Sequence, residues 1–311
     1  MKHVIDIIIP CYNAKDTLFE TLCSISIQVN CPSFKVYLIN DKSDYDYKEE
    51  VTFFSKFFPI EEITLEENVG PGGARREGIN RTEGDFITFI DSDDIFYTCE
   101  ALAFLFNAIE NKDLVISDFI YERDGVVTVK EKNLIWLHGK MFRRSFLMEH
   151  NINFNDTRAN EDNGFNRLVL LMNPSIGYID TPTYVYRENE NSITRKNNRD
   201  YKISGLEGFV YNMKWAIDEA LKRGADKTQI PILANSILVA LYLDYLSYQD
   251  DQNVNNILKY SKDMLEYYEV INKRSLNKMI KDRNEVLEKE NRKVELSISF
   301  DEFIERVRNY D

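Results

Sequence analysis

The sequence predicts an α/β fold: a mixed, mostly parallel sheet with helices on both faces, followed by a helical extension. Through about the first 110 residues, short apolar runs alternate with helix-period segments, which is the pattern of repeated β-α units. A turn-forming segment near residue 125 then indicates a hairpin, and after about residue 205 only helix-period segments occur. We therefore expect an α/β domain over residues 1–205 and a helical domain over residues 206–311.

The predicted strands of the parallel part are almost continuously apolar, as strands covered on both faces are. They cover residues 5–9, 35–39, 63–65 and 86–90. A helix over 18–29 is expected between the first two, because apolar residues recur there at helical spacing after Asn13, a candidate N-cap. Residues 101–109 form another helix by the same criterion. Residues 114–121 and 126–129 are expected to pair as antiparallel strands, which makes the sheet mixed.

The predicted extension consists of amphipathic helices. They cover residues 209–221, 228–248, 254–268 and 275–294. The most apolar run, 230–246, contains Asn235, Ser236 and Asp244, so we expect it not to cross a membrane. Helices of this kind can support homo-oligomerisation, a peripheral membrane contact, core packing or a sugar contact, and these alternatives stay open. The aromatic residues that could serve them are Trp215, Tyr242, Tyr245, Tyr248, Tyr267 and Tyr268.

The charge and the cysteines limit the class of protein. A formal net charge of −13 excludes nucleic acid as the main partner, because nucleic acid requires a positive surface. The 4 cysteines show no CxxC spacing and the 3 histidines are far apart, which indicates neither a zinc site nor a disulfide framework. Reduced cysteines predict a cytoplasmic protein, with a peripheral position at the inner face of the membrane as a variant.

An acidic cluster, Asp91-Ser92-Asp93-Asp94, follows directly after the fourth predicted strand. Open α/β sheets bind their ligands at this end of the strands. Crowded carboxylates raise one another's pKa unless a cation lies among them, and oxygen ligands favour Mg²⁺ or Mn²⁺. The alternative is that Asp93 or Asp94 caps the next helix.

Further polar segments follow the other predicted strands. The glycine-rich segment 68–78 can approach a ligand closely and bind phosphate or a nucleobase through its arginines, or it is only a turn. Asp41, after the second strand, either accepts the imide N–H of uracil or caps a turn or helix. Glu161 and Asp162 precede the helix-like segment 164–171, where they serve either as dipole-favoured caps or as a general base.

The ordered set of segments resembles the family-2 glycosyltransferases, the inverting, nucleotide-sugar-dependent enzymes of the GT-A fold. The resemblance covers roughly residues 1–205. The matching blocks, in chain order, lie at 7–13, 39–43, 68–75, 89–94, 139–146, 161–162, 184–187 and 191–194.

The resemblance implies a nucleotide pocket built from the strand ends. Pro10 and Tyr12 would line the nucleobase pocket, Asp41 would bind uracil, and Arg75 would lie near the nucleotide. The further residues expected to bind the donor are Asn13, Asn68, Gly72, Ser92 and Arg187.

The resemblance also implies a metal and a base. Asp93 would bind Mn²⁺ or Mg²⁺ at the donor diphosphate, and Asp91 would lie near the ribose or act as a second metal ligand. Asp162, with Glu161 beside it, matches the catalytic base. The implied reaction moves a sugar from a UDP-sugar to a hydroxyl of a glycan, teichoic acid, lipid-linked or protein acceptor, with inversion, as in bacterial cell-surface polysaccharide biosynthesis.

Some positions depart from the family's pattern. Asn40 replaces the first of two acids, Arg76 stands where asparagine is common, and segment 187–192 has no histidine. If a diphosphate ligand is needed there, Arg187, or one of Arg195, Lys196 and Arg199, could supply it.

Two rival functions are a catalytically inactive carbohydrate-binding or scaffold protein and a nucleotidyltransferase. The segment after the first strand has no glycine-rich loop with a lysine, which counts against the nucleotidyltransferase.

Overall fold

Residues 3–189, 199–248, 251–289, 292 and 294–310 are described in the computed structural model. Contacts divide the chain into unit 1, Met1–Arg195, and unit 2, Lys196–Asp311. The domain boundary predicted between residues 205 and 206 stays a prediction, and it falls within the first helix of unit 2.

Unit 1 contains nine strands and six helices in its described part. The strands are β1 (Ile5–Cys11), β2 (Phe34–Asn40), β3 (Ile60–Thr64), β4 (Phe86–Phe89), β5 (Ile95–Phe96), β6 (Leu114–Arg123), β7 (Val126–Lys130), β8 (Lys140–Arg143) and β9 (Ile176–Tyr186). The helices are α1 (Leu18–Ser26), α2 (Lys48–Phe54), α3 (Gly70–Arg81), α4 (Ala101–Ile109), α5 (Arg144–Glu149) and α6 (Glu161–Leu171).

The strands form one sheet in the order β3-β2-β1-β4-β8-β6-β9-β5, with β7 paired to β6. β3, β2, β1 and β4 are parallel neighbours, and β6 is parallel to β9. β8 runs antiparallel between β4 and β6, while β7 and β5 pair antiparallel with β6 and β9. Most paired residues belong to the parallel ladders, so the predicted mixed, mostly parallel sheet is confirmed.

The burial of each strand accounts for its sequence pattern. Ile5, Ile7, Ile8 and Ile9 of β1 are fully buried, because this central strand is covered on both faces. The edge strand β3 begins at Ile60, earlier than predicted, since its solvent-facing glutamates interrupt the apolar run.

Two local predictions in this unit were wrong. Asn13 does not cap α1: the N-cap is Thr17, and the Asn13 side chain instead bonds Asp44 beyond β2. The glycine-rich segment is not only a turn, because residues 70–78 form most of α3, which begins at Gly70.

Unit 2 is helical in its described part. Its helices are α7 (Arg199–Lys222), α8 (Ile230–Ser247), α9 (Asp251–Met264), α10 (Lys273–Lys289) and α11 (Phe300–Arg308). The first four were predicted with shifted ends, whereas α11 was missed. Its start carries a readable signal, because Ser299 and Glu302 form a capping box.

Among the described helices, Lys227–Ser247 is long and apolar enough to cross a membrane by length and composition. The sequence had led us to expect that this run falls short. Of its apolar window, 72% is buried inside the protein, which is the environment of a core helix.

Candidate active site

The carboxyl ends of the parallel strands bring the predicted polar segments to one edge of the sheet. Cys11 of β1 lies beside Asn40 of β2, and the Asp41 N–H donates to the Cys11 carbonyl at 2.8 Å. On the other side of β1, Ile8 pairs with Phe89 at the end of β4, so the acidic cluster begins two residues further on. Sequence-distant segments thus meet as expected for an open α/β sheet.

Asp91 is held in its ionised form by Arg75. Its Oδ1 accepts from Arg75 Nη2 at 2.6 Å, and its N–H donates to the Tyr184 hydroxyl at 3.1 Å. Burial acts to raise the pKa of Asp91, but the charge of Arg75 outweighs it and lowers this pKa below its ordinary value.

The next residues of the cluster face different partners. Asp93 is half-buried and its Oδ2 accepts from Asn189 Nδ2 at 2.8 Å. Burial and the neighbouring charge of Asp91 raise the pKa of Asp93. The hydroxyl of Ser92 hydrogen-bonds the thiol of Cys11, whose pKa is raised by burial.

Asp94 is buried and does not cap a helix. The Tyr184 hydroxyl donates to its Oδ2 at 2.6 Å, and the Arg187 N–H donates to its Oδ1 at 2.8 Å. The next helix, α4, has Glu100 as its N-cap, so the alternative that Asp93 or Asp94 caps it is wrong. Burial, with the charges of its two acidic neighbours, raises the pKa of Asp94 well above its ordinary value.

A histidine that the sequence did not single out faces this cluster. His138 Nδ1 is buried, has no hydrogen-bond partner among the described residues, and lies 3.8 Å from Asp94 Oδ2. Burial lowers the pKa of His138 to about 3, which leaves the imidazole neutral.

Within the described residues, ligand atoms of Asp91, Asp94 and His138 lie within 4.8 Å of one another and could hold a metal ion. The carboxylate oxygens of this set suit Mn²⁺ or Mg²⁺, and Asp91 is shared with the predicted site. The assignment of Asp93 as a metal ligand stays a prediction.

Arg75 joins the acidic cluster to the pair Glu161 and Asp162. Its side chain is only 6% exposed; Nη2 holds Asp91, and Nη1 lies 2.8 Å from Glu161 Oε1. Its Nε is buried, and no group in the described part of the chain hydrogen-bonds to it. The predicted position of Arg75 beside the nucleotide is untested, but both terminal nitrogens already contact carboxylates.

The two adjacent acids occupy different environments. Glu161 is buried and bound to Arg75, whereas Asp162 is half-buried and its Oδ1 accepts the N–H of Asn163 at 2.7 Å. Burial, with the charge of Glu161, raises the pKa of Asp162 to about 7. Both acids lie in the first turn of α6, so the helix dipole also acts on them.

The predicted uracil ligand, Asp41, binds the start of α3. Its Oδ1 accepts from Val69 N at 2.7 Å and its Oδ2 from Gly70 N at 2.8 Å, and its pKa is raised by burial. Asn68 Nδ2 donates to the Asp41 carbonyl at 3.0 Å, and Asn68 Oδ1 accepts from Arg158. Each carboxylate oxygen keeps a second lone pair, so the nucleobase role stays a prediction.

The remaining predicted residues lie around these groups. Tyr12 is 56% exposed at the rim and Pro10 is half-buried. Gly72 faces Glu161, whose Cγ would lie 2.9 Å from an added Cβ. The Arg187 guanidinium pairs with Glu20 on α1. Residues 191–194, Arg195 and Lys196, and the side chain of Arg199, lie outside the described residues.

Sequence reasoning missed three side chains of this site, namely His138, Lys140 and Tyr184. Lys140 and Tyr184 stand inside blocks that matched the family. Nothing in those blocks shows that the Tyr184 hydroxyl binds Asp94 or that Lys140 binds the carbonyls of Asn133 and Trp136. Their positions depend on the strand order of the sheet, in which β8 lies between β4 and β6 and β9 lies beside β6.

Comparison with known proteins agrees with this geometry. Residues 6–160, about half of the chain, match the model of glycosyl transferase family 2. The putative glycosyltransferase EpsH of Bacillus subtilis is 23% identical over 233 residues, covering 67% of each chain. Several other curated relatives are much longer, and the chain spans 17% to 31% of their length.

Solved structures share the fold. TarS 1–349 of S. aureus, in complex with UDP-GlcNAc, matches with a TM-score of 0.71 at 19% identity and covers 100% of this chain and 91% of its own. The mannosyltransferase PcManGT from Pyrobaculum calidifontis, in complex with GDP-Man and Mn²⁺, matches with a TM-score of 0.56 at 14% identity, over 99% and 86% of the two chains. The family match and these folds together place the chain in glycosyl transferase family 2, as a glycosyltransferase of the GT-A fold.

Proposed function

We propose that this protein is a metal-dependent, inverting glycosyltransferase that moves a sugar from a UDP-sugar to a hydroxyl of a carbohydrate-type acceptor. One observation carries the proposal: buried Arg75 bridges Asp91 of the acidic cluster and Glu161, the neighbour of Asp162, with contacts of 2.6 and 2.8 Å. Arg75 would therefore hold the donor site at the strand ends and the acceptor site at α6 in a fixed position relative to each other.

The donor side offers groups for each part of a nucleotide sugar. Asp41, Pro10 and Tyr12 would hold the uracil, and Asp91 the ribose. Mn²⁺ or Mg²⁺, held by Asp93 with Asp91, would offset the charge of the diphosphate. Asp93 and Asp91 offer carboxylate oxygens, the ligands that Mg²⁺ and Mn²⁺ prefer. Burial, with the charge of Asp91, raises the pKa of Asp93, and a nearby cation would oppose that rise. TarS was solved with UDP-GlcNAc, which supports a uridine donor.

Asp162 is the base that the acceptor side offers. Asp162 takes the proton of the acceptor hydroxyl; the oxygen attacks the anomeric carbon while the bond to the diphosphate breaks on the opposite face. Glu161 is bound to Arg75, so it orients that arginine rather than receiving the proton. A single displacement inverts the anomeric centre. The reaction would take place in the cytoplasm, where the four free cysteines stay reduced.

Calorimetry of UDP and GDP, each with Mn²⁺ or Mg²⁺, tests the donor side. We expect UDP to bind only with a divalent cation and Asp93→Ala to lose this binding. Asp46→Ala is the matched control, because Asp46 is an exposed acid that pairs with exposed Lys48. Tight binding of GDP but not UDP would refute the uridine donor, and absence of binding to either nucleotide would refute the proposal.

A further inference from the structure

Residues 131–139 connect β7 to β8, and the segment 133–139 lies beside the candidate active site. β8 runs antiparallel to β4, with Met141 opposite Thr88, and Thr88 Oγ1 donates to the Lys140 carbonyl at 2.8 Å. The residues that precede Lys140 therefore lie beyond the carboxyl end of β4, where the acidic cluster begins. His138 marks this position, since its ring faces Asp94.

A buried lysine fixes the first half of this segment. Lys140 is 1% exposed, and its Nζ donates to the carbonyl of Asn133 at 2.7 Å and to that of Trp136. Burial lowers the pKa of Lys140 to about 7, and the charge of Asp162 acts in the opposite direction. These two hydrogen bonds fix the backbone of the segment at Asn133 and Trp136.

The helix of the proposed base holds the same segment. Asn166 lies one turn after Asp162 on α6 and is 2% exposed. Its Nδ2 donates to the Ile135 carbonyl at 2.7 Å and to the Asp162 carbonyl at 3.0 Å. One amide group therefore ties the backbone of this segment to the backbone of Asp162.

The clamped backbone presents apolar side chains outward. Leu134 and Ile135 are 41% and 43% exposed, and the next residue, Trp136, stacks on Tyr121 at 5.8 Å with an interplanar angle of 17°. Single exposed aliphatic residues are ordinary on protein surfaces. This pair differs because two buried polar side chains fix its backbone and because it is joined to Asp162.

We propose that residues 133–136, the acceptor wall, bind the acceptor sugar, with Leu134 and Ile135 against the apolar C–H face of its ring. Lys140 and Asn166 are positioning residues: Lys140 fixes the backbone of the wall, and Asn166 ties the wall to α6. The inference rests on the proposed function, because it needs Asp162 as the base. The occupant is the acceptor rather than the donor nucleotide, since the wall is tied to Asp162 and offers no charged side chain for a diphosphate.

Tryptophan fluorescence tests the wall directly. The chain has two tryptophans, so Trp215→Phe leaves Trp136 as the single reporter. The probes are the methyl β-glycosides of glucose, galactose and N-acetylglucosamine, each titrated with UDP and Mn²⁺ present. We expect at least one to give a saturable change in emission, and Leu134→Ser with Ile135→Ser to weaken it about tenfold, which corresponds to ~1.4 kcal/mol.

The control and the contrary outcomes separate the two proposals. Val127→Ser, at a 63% exposed residue of β7, is expected to leave the titration unchanged. A protein that binds no UDP refutes the proposed function. A protein that binds UDP but shows no glycoside-dependent change, or a change insensitive to the double variant, refutes the acceptor wall.

The positioning role is tested by comparing how a variant changes the acceptor KM and the Kd for UDP. The glycoside with the largest fluorescence change serves as acceptor, and Lys140→Met and Asn166→Leu are each compared with the parent. We expect the acceptor KM to rise about tenfold while the Kd for UDP stays the same, because the clamps hold only the acceptor side. An equal loss of both affinities would show a merely structural role and overturn the assignment, as would unchanged kinetics.

Discussion

At the scale of single residues, one arginine gives two neighbouring acids different properties. Arg75 binds Glu161 directly, while Asp162 keeps its carboxylate beside the backbone of Asn163. A base must be available in its ionised form and must release its proton after each turnover, so a pKa near the working pH suits it. The raised pKa of Asp162, about 7, meets this requirement.

Asp162→Asn is therefore expected to lower kcat about 10²- to 10⁴-fold, the range typical for loss of a general base. In the parent, kcat/KM should rise with pH and level off above about 7, because Asp162 must be ionised. Transfer assays across pH 5 to about 9 measure both effects. Asp156→Asn is the control, since Asp156 is an 82% exposed acid on the preceding loop. Equal activity of the two variants would exclude Asp162 as the base.

The same group predicts a pH dependence of stability. The folded-state pKa of Asp162 lies above its ordinary value, so the folded chain binds this proton more tightly than the unfolded chain. The contribution is present at low pH and is lost as the pH rises from about 4 to about 7. Urea unfolding of Asp162→Asn should show a flatter decline of the free energy of unfolding over this interval. An identical slope in both proteins would contradict the assigned pKa.

At the scale of elements, the position of α3 depends on one carboxylate and on glycines that allow close packing. Asp41 accepts two N–H groups from the start of the helix, and Gly72 lets Glu161 and Asn155 approach. Near the middle of the helix, a Cβ on Gly78 would lie 2.5 Å from Ile8 Cγ2 of β1. The start of α3 therefore contributes to packing, independently of any role in binding the donor.

Asp41→Ala is expected to lower the free energy of unfolding by roughly 1–2 kcal/mol, because it leaves the N–H groups of Val69 and Gly70 without their acceptor. Urea unfolding measures the loss. Asp41→Asn keeps one acceptor oxygen and should lose less. If Asp41→Ala lowers UDP affinity without lowering stability, the capping role is secondary to nucleobase binding.

Gly72→Ala should destabilise the protein by about 1–3 kcal/mol, the usual cost of overpacking. The added Cβ would meet Glu161 Cγ at 2.9 Å and the Asn155 carbonyl at 3.2 Å. Gly205→Ala in α7 is the matched helical control, because no described atom lies within 4 Å of its added Cβ. Thermal melts compare the two variants. A stable Gly72→Ala protein would show that α6 can move away from α3.

At the scale of the whole molecule, donor binding should stabilise the folded chain. Ligand at 100 times its Kd adds about 2.7 kcal/mol. With an unfolding entropy of about 2.1 cal/mol/K per residue, this raises the Tm of a 311-residue chain by roughly 4 °C. We expect UDP with Mn²⁺ to give such a shift and Asp93→Ala to remove it. A shift of the same size in Asp93→Ala would place the metal elsewhere, for example on Asp94 and His138.

The sequence predicted the larger features of the fold because they depend on local periodicity. Buried strands such as β1 and β4 read as apolar runs, and α4 was predicted at its observed bounds. Edge strand β3, the short strands β5 and β8, and the start of α3 were missed or shifted. Glutamates interrupt the apolar pattern of β3, the strands β5 and β8 are only two and four residues long, and glycines hide the helical periodicity at the start of α3. The structure of these segments is decided by pairing or packing with distant segments.

The sequence by itself determined that strands would deliver Asp41, Asp91 and Asp93 to one edge, because parallel strands share the direction of their ends. Only the tertiary structure decided how these groups differ. Arg75 lies 86 residues from Glu161, and Tyr184 lies 90 residues from Asp94. Contacts of this range depend on the order of strands in the sheet, and a buried charge takes its pKa from whichever partner that order brings within reach.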